Sequence, residues 1–558
     1  MLRSIVALWL LACALGSIDA QLPAEKTPAP TPPGAVPPGP SPPRPPNGQP
    51  PGLPPAPPSP RPGGPPAEPL LPSGAQPAPA QAGAAPPVAV KPEDKLSVIR
   101  VNVTNQPWDF LRPWGKRSPY SRRAVGAVLA GKRVLVTAEL VANANYVELE
   151  TPDGSEKTPA SIETVDYEAN LAILKPEEEK FLDVYKPVEF TTAQVGDTLA
   201  VWQLENTGTV LVTKGSMTTA EVSRYPIDDS PLLVYRATAS LQFRDSSFTL
   251  PVAKDDKLVG LVMRYDNNTK SVDVVPTPVI EHFLKDAEHA PYEGFPRAGM
   301  AFSPTRDPQL RRYIGLNGIS SGGVYVTELF QDGPAEKAGL EKGDVITQID
   351  DQAVDADGNY ADPQYGKVSV THLLGTRHFD GDVVKFTVFH KGEIKHLDVK
   401  VAHRGLDQYV IEPYVIDRAP RFCVIGGLVL QELSRQYLKE WGVDWLKKAP
   451  EELVFFDRYQ TELFKNGPKK IVLLSTVLPS PATIGYEDLH QLIVTKINGH
   501  ALNDLGDVPA ALAASTNGLH KIEFSDDPTT IYLDAAAISA GESGLMQNYR
   551  LPMLQRLE

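Results

Sequence analysis

The run from residue 333 to residue 352 constrains this chain more tightly than any other stretch. It reads Gly-Pro-Ala-Glu-Lys-Ala-Gly-Leu-Glu-Lys-Gly-Asp-Val-Ile-Thr-Gln-Ile-Asp-Asp-Gln. Gly333-Pro334 predicts a turn that opens a single helical turn, with proline at the first helical position, where no amide is needed. Gly339 ends that turn, and Gly343-Asp344 makes a second tight corner. Val345, Ile346 and Ile349 then predict a short buried strand, which the Asp350-Asp351 pair terminates. Ahead of the run, residues 324–329 (Val-Tyr-Val-Thr-Glu-Leu) alternate as another strand.

The chain has 558 residues, 42% of them hydrophobic, which is material for three domains of ordinary size. A net charge of −14 argues against nucleic acid or an anionic membrane as a main partner, because nothing would neutralise the phosphates. Met1-Leu2-Arg3 and the apolar residues 5–15 read as a secretory signal over residues 1–20, with a core too short to span a bilayer. Cleavage after Gly16 and cleavage after Ala20 both fit. Leu10-Leu11-Ala12-Cys13 lies close to a lipobox, so lipidation at Cys13 is the alternative and the one predicted route to a membrane. The expectation is an exported protein of the periplasm or cell envelope, or a secreted one. Cys423 is the other cysteine, so no disulfide is expected in the mature chain. Residues 21–92 are dominated by proline, alanine and glycine, a composition that cannot bury enough apolar surface to fold. A disordered spacer is expected there, with a ligand for a polyproline-binding partner as the alternative.

Between residues 96 and 276 the pattern is one of short strands separated by turn residues. The clearest are 124–130, 133–137, 146–150, 169–174, 198–203, 210–213, 232–235, 258–263 and 271–275. With no long amphipathic helix among them, they indicate an all-β sandwich or barrel. Residues 281–288 read as a short bridging helix, with His282 and His289 solvated. His282 is the first histidine anywhere in the chain.

The match Gly-x-Ala-x-x-Ala-Gly-Leu-x-x-Gly-Asp-Val-Ile beginning at Gly333 resembles a PDZ domain of the HtrA/Deg family of envelope proteases. Ser97-Val98-Ile99-Arg100-Val101, Tyr120-Ser121 and Arg133-Val134-Leu135-Val136-Thr137 resemble the opening of that family's chymotrypsin-like domain. Ala169-Asn170-Leu171-Ala172-Ile173-Leu174, Val212-Thr213-Lys214-Gly215 and Val275-Pro276-Thr277-Pro278-Val279-Ile280 follow in the family's order. Phe422-Cys423-Val424-Ile425-Gly426-Gly427-Leu428-Val429-Leu430 and Asn548-Tyr549-Arg550-Leu551-Pro552 are similar to the second PDZ-like domain of the plant-type Deg branch. The resemblance implies a mainly β chain: a trypsin-like double β-barrel over residues 93–288, a PDZ domain over 289–405 and a second PDZ-like α+β domain over 406–558. Residues 433–463 are a helical insertion in the last. The second module serves assembly in the family, so the resemblance also implies a homo-oligomer.

Family catalysis uses serine as nucleophile, histidine as general base and aspartate to orient that base. Against the family run Thr-Asn-Ala-His, the matching residues are Thr137-Ala138-Glu139-Leu140, so Leu140 holds the base position and Asn170 the aspartate position. The nucleophile motif has two registers here: alignment on Pro251 gives Phe248, and alignment on Thr238-Ala239-Ser240-Leu241 gives Ser246. Either way the paired glycines that support an oxyanion hole are gone. A serine hydroxyl without a base is a poor nucleophile, so no catalytic residue and no hydrolysis are expected. An active serine endopeptidase with displaced groups and a purely structural envelope assembly protein are the competing readings.

Gly294-Phe295-Pro296-Arg297-Ala298-Gly299-Met300 matches the family's carboxylate-binding loop and the strand after it. The resemblance implies capture of peptides or protein C-termini by strand addition. Arg297, Ala298, Gly299 and Met300 would form one wall. A helix over 368–374 would form the other, through Val370, Thr371 and Leu374. Asp355-Ala356-Asp357-Gly358-Asn359 lacks EF-hand spacing and reads as a solvated turn. No metal or other cofactor is expected.

Overall fold

The computed structural model describes residues 88–89, 96–205, 209–241, 249–318 and 322–558. The predicted signal segment, Cys13, Ser246 and Phe248 lie outside the described residues, as does nearly all of the proline-rich stretch. Within that stretch, Val88–Ala89 pair antiparallel with Val212 and Leu211, so ordered pairing begins before residue 92.

Two barrels come first, as expected. Strands β1 (Val98–Asn105), β2 (Tyr120–Leu129), β3 (Arg133–Val136), β4 (Ala144–Glu150), β5 (Lys157–Asp166) and β6 (Leu171–Pro176) close in the order β1-β2-β3-β6-β5-β4. A four-residue helix α1 (Ala138–Val141) follows β3. The second sheet comprises β7 (Thr198–Leu204), β8 (Val210–Arg224), β9 (Pro231–Thr238), β10 (Pro251–Lys254), β11 (Lys257–Asp266) and β12 (Ser271–Pro276). It runs β8-β9-β12-β11-β10-β7, and β7 pairs back on β8. All nine expected strands are present. β8 runs on to Arg224, well past the expected 213, and β5 was not expected. Both segments are largely polar and only half-buried, so neither shows the apolar alternation that marks a strand. Ladder pairing with β9 and β6 satisfies their backbones instead.

Helix α2 (Thr277–Asp286) begins earlier than predicted and leads into the third domain. His282 is not solvated. It is 4% exposed and stacks between Phe295 and Phe379, with both ring centroids at 4.3 Å. The apolar i, i+3, i+4 face of α2, Val279, Ile280 and Phe283, carries His282 inward with it. His289 is exposed.

The third domain is a sheet ordered β13 (Met300–Pro304), β14 (Val324–Leu329), β15 (Val345–Ile349), β16 (Val383–His390) and β17 (Glu393–Lys400), all antiparallel. Helix α3 spans Val370–Thr376, with the Ser369 hydroxyl accepting from the Thr371 amide. The helix thus starts two residues later than expected, because Val368 belongs to a two-stranded ribbon with Tyr360. The Asp355 carboxylate is turned onto the amides of Asp357 (2.9 Å) and Asn359 (2.8 Å), closing the Asp-rich turn on itself. One apolar core runs from the second barrel through α2 into this domain.

The fourth domain is a sheet of β18 (Phe422–Ile425), β19 (Leu428–Glu432), β20 (Val472–Val477), β21 (Leu492–Ile497), β22 (Leu519–Phe524), β23 (Thr530–Asp534) and β24 (Gln555–Arg556). Its order is β23-β22-β21-β20-β19-β18-β24, so the last strand of the chain covers the outer edge of β18. The predicted helical insertion includes α4 (Glu451–Leu463), and α5 (Ala535–Tyr549) packs on the sheet. The loop between β1 and β2 reaches into this domain. Phe110 joins the core of the insertion, Gln431 donates to its carbonyl at 3.2 Å, and Trp114 packs edge-on against Phe422. Among the described residues, no helix is long and apolar enough to cross a membrane.

Candidate functional site

In the barrels, the predicted base and aspartate positions come together. Asn170 adopts a left-handed backbone (φ +54°), and its side-chain oxygen accepts from the Glu139 amide at 2.9 Å. That bond fixes α1 one residue before Leu140. The Leu140 side chain is fully buried among Val101, Val136, Val147 and Leu174. Its carbonyl receives the Asn105 amide nitrogen at 2.9 Å. Arg122 clasps the other side of α1 by pairing with the Glu139 carboxylate at 2.6 Å. The hydroxyls of Thr137 and Thr249 share a hydrogen bond, so the residue after the predicted nucleophile segment meets the residue that opens α1. The predicted base and aspartate positions therefore meet on α1, with Thr249 beside them, and the side chains that join them are an amide, hydroxyls and an aliphatic group, flanked by the Arg122–Glu139 pair.

The second candidate site lies along β13, an edge strand whose outer side faces α3. The run at 333–352 sets its geometry. The Gly333-Pro334 corner carries the one-turn helix Pro334–Lys337, whose Ala335 amide donates to the Ala298 carbonyl at 2.8 Å. The Phe330 amide donates to the Gly299 carbonyl at 2.9 Å. Gly299 has φ +74°, and a Cβ there would come to 3.0 Å from the Pro334 ring, so glycine suits both the backbone and the space. Arg297 pairs with Ala402 across the base of the loop, at 2.9 Å from its amide to the Ala402 carbonyl.

A cavity of about 610 Å³ runs along this edge, lined by Arg297, Ala298, Gly299, Met300, Thr371 and Leu374 among others. The structure thus brings six of the seven predicted groove residues together. Val370 is the exception: it is fully buried in the core and absent from the lining. With α3 starting at Val370, its side chain packs into the core while Thr371 and Leu374 line the groove. Sequence reasoning missed the floor and far wall, where Leu232 of β9, Phe295 and Tyr409 line the same cavity. Leu232 belongs to the second barrel, so the groove is built by two domains.

Arg297 also departs from its predicted part. Its guanidinium pairs with Glu168 at 2.6 Å, lies 3.7 Å from Asp228 and donates to the Ser230 hydroxyl. His403 meets the other Glu168 oxygen at 3.2 Å. Against the pull of burial, Arg297 and His403 hold Glu168 down at about 2. Burial and the nearby Glu168 charge push Asp228 up to about 7. The Glu168 hydrogen bond and charge likewise raise His403 despite its burial. Glu168 sits two residues before Asn170. A single polar cluster thus joins the loop of the aspartate position to the loop at the groove. The same β8–β9 turn is gripped from the fourth domain by Arg435, which donates to the Asp228 carbonyl at 3.1 Å, and by Lys439, which donates to the Ile227 carbonyl at 2.6 Å.

PDZ domain models match residues 296–401 and residues 411–555. The chain is 25% identical over 469 residues to the chloroplastic Protease Do-like 2 of Arabidopsis thaliana, covering 82% of this chain and 74% of that protein. It is 22% identical over 466 residues to the mitochondrial Protease Do-like 4 of Arabidopsis thaliana, covering 82% of this chain and 84% of that protein. Among solved structures, the HtrA-type protease AlgW with decapeptide is 17% identical and covers 56% of this chain and 97% of its own, with a TM-score of 0.42. With its paired PDZ domains behind a double barrel, the chain is similar to the Do-like proteases of the HtrA/Deg family.

Proposed function

We propose that this protein is a proteolytically silent HtrA/Deg member that works by binding polypeptide ends in the groove between β13 and α3. The observation that carries this reading is the state of the base position. Leu140 is sealed in the barrel core, and no residue before His282 has an imidazole. His282 itself is wedged between Phe295 and Phe379. Hydroxyl nucleophiles need a neighbour that takes the proton, and losing triad members removes nearly all of the rate. Support for binding comes from the edge position of β13 beside a cavity that mixes apolar and charged side chains, an arrangement that accepts an added strand. The signal-like start supports an activity outside the cytoplasm, in quality control or scaffolding of the envelope.

The test treats the purified full chain with a fluorescent fluorophosphonate and, separately, passes it over immobilised peptides with free C-termini. No covalent label together with peptide retention is expected. Labelling at Ser246 would favour an active endopeptidase, and retention of no peptide would favour a role in assembly alone.

A further inference from the structure

We propose that a cavity behind helix α3, separate from the peptide groove, binds a small neutral polyhydroxyl compound of the sugar or polyol class. Three buried polar atoms that the protein leaves unpaired would recognise its hydroxyls.

The cavity measures about 350 Å³, within the range of small-molecule sites. Helix α2 supplies Glu281, His282 and Lys285 to its lining, and α3 supplies His372 and Thr376. Helix α3 therefore divides two cavities. Thr371 and Leu374 line the peptide groove, whereas His372 and Thr376, one turn apart on the other side of the helix, line this one.

The inner wall is polar and unsatisfied. His282 Nε2, His372 Nδ1 and the Thr376 hydroxyl are shut off from bulk water and have no hydrogen-bond partner among the described residues. The three residues are only 4%, 2% and 8% exposed. Seven buried side-chain atoms stand in that state among the described residues, and three of them belong to residues lining this one cavity. Such a concentration points to a ligand, because native folds rarely leave buried polar groups unpaired and each one is costly.

The chemistry of the three atoms selects the ligand. His282 Nδ1 lies 3.0 Å from the Thr376 carbonyl, which only accepts, so Nδ1 carries the proton and Nε2 of the neutral ring is a bare acceptor. A ligand must donate to it, and an ionised carboxylate has no hydrogen to offer. Burial lowers His282, and burial with the Arg377 charge takes His372 down to about 4, so both rings are uncharged. An interior that keeps two imidazoles neutral also disfavours a cationic amine. The Thr376 hydroxyl and His372 Nδ1 each donate or accept, according to rotor or tautomer. A ligand hydroxyl, donor and acceptor at once, complements all three. At the mouth, Glu281 and Lys285 are exposed and have no ion pair among the described residues, and Gln364 adds an amide. A compound carrying several hydroxyls engages the inner wall and the mouth together.

The test is saturation-transfer NMR on the purified full chain with D-glucose, trehalose, glycerol and acetamide, the last being a neutral donor without a hydroxyl. Wild-type protein should transfer to at least one hydroxyl compound and only weakly, if at all, to acetamide. Thr376→Val removes the hydroxyl at nearly constant shape, and His372→Phe keeps a flat ring without nitrogen. Each should weaken binding several-fold. Both exchange an unpaired polar group for an apolar one, so melting temperatures should stay at or above the wild-type value, which reports intact folding. Transfer to no hydroxyl compound, transfer to acetamide as strong as to the hydroxyl compounds, or binding unchanged in both variants would overturn the site. A lower melting temperature in one variant leaves the other to decide. A drop in both would show that these groups already have partners, which contradicts the assignment. Peptide retention in the groove is read separately and does not depend on this result.

Discussion

At the scale of single residues, the roles of Leu140 and Arg297 show what a sequence can and cannot carry. Leu140 was legible because it sits in a short run between recognisable neighbours, and its burial follows from the apolar strands that surround it. Arg297 was half legible. Its place beside the loop glycine could be read, but its commitment to Glu168 joins residues far apart in sequence, and no local pattern records such a pairing. Val370 and His282 were misplaced for a related reason: a shift of helix start by two to four residues rotates which side chains face inward. The ion cluster has a measurable pH signature. Asp228 titrates at about 7 in the folded chain, above the unfolded value near 4, so the folded state holds its proton more tightly. Its penalty therefore grows as pH rises through that window, and stability falls. His403 acts with the same sign: its raised value gives stability that is complete below the unfolded value and lost as pH rises through the folded one. Glu168 acts in the opposite sense and only in acid, where its contribution is lost as pH falls towards about 2. Urea midpoints should decline from about pH 5 to about pH 8, and Asp228→Asn should flatten much of that decline. An unchanged slope in the variant would remove Asp228 from the account.

At the scale of elements, the buried strands were readable from apolar alternation, whereas the polar half of β8 and all of β5 were not. Their strand character comes from neighbours that complete the ladder, and a single sequence does not display its neighbours. The closing strand β24 is another such element. It pairs Gln555 with Cys423 and Arg556 with Phe422. Arg556 also spreads over the rings of Trp108 and Phe422, with centroids at 4.6 and 5.3 Å, and donates to the Pro113 carbonyl at 3.0 Å. Burial under this strand pushes the Cys423 thiol up to about 12. A thiol so protonated and covered reacts slowly with alkylating reagents. Arg556→Ala should loosen β24 and speed alkylation of Cys423 by iodoacetamide several-fold at constant pH, read by mass spectrometry. Equal rates in variant and wild type would mean that β24 is not what shields the thiol.

At the scale of the whole molecule, the order of modules was visible from one twenty-residue run and a handful of motifs. Their mutual packing was not. The β8–β9 turn is held simultaneously by the first PDZ domain through Arg297 and by the second through Arg435 and Lys439. The loop after β1 is embedded in the second PDZ domain. Such contacts leave the barrels as a frame on which the groove is assembled, with Leu232 as part of its floor. This use of the frame makes sense of a barrel retained without an imidazole. The most direct measurement is hydrolysis of casein and of a fluorogenic peptide library by the purified full chain, beside its Ser246→Ala variant. The account predicts rates for both proteins that match buffer alone. Turnover by the wild-type chain that disappears in Ser246→Ala would contradict it.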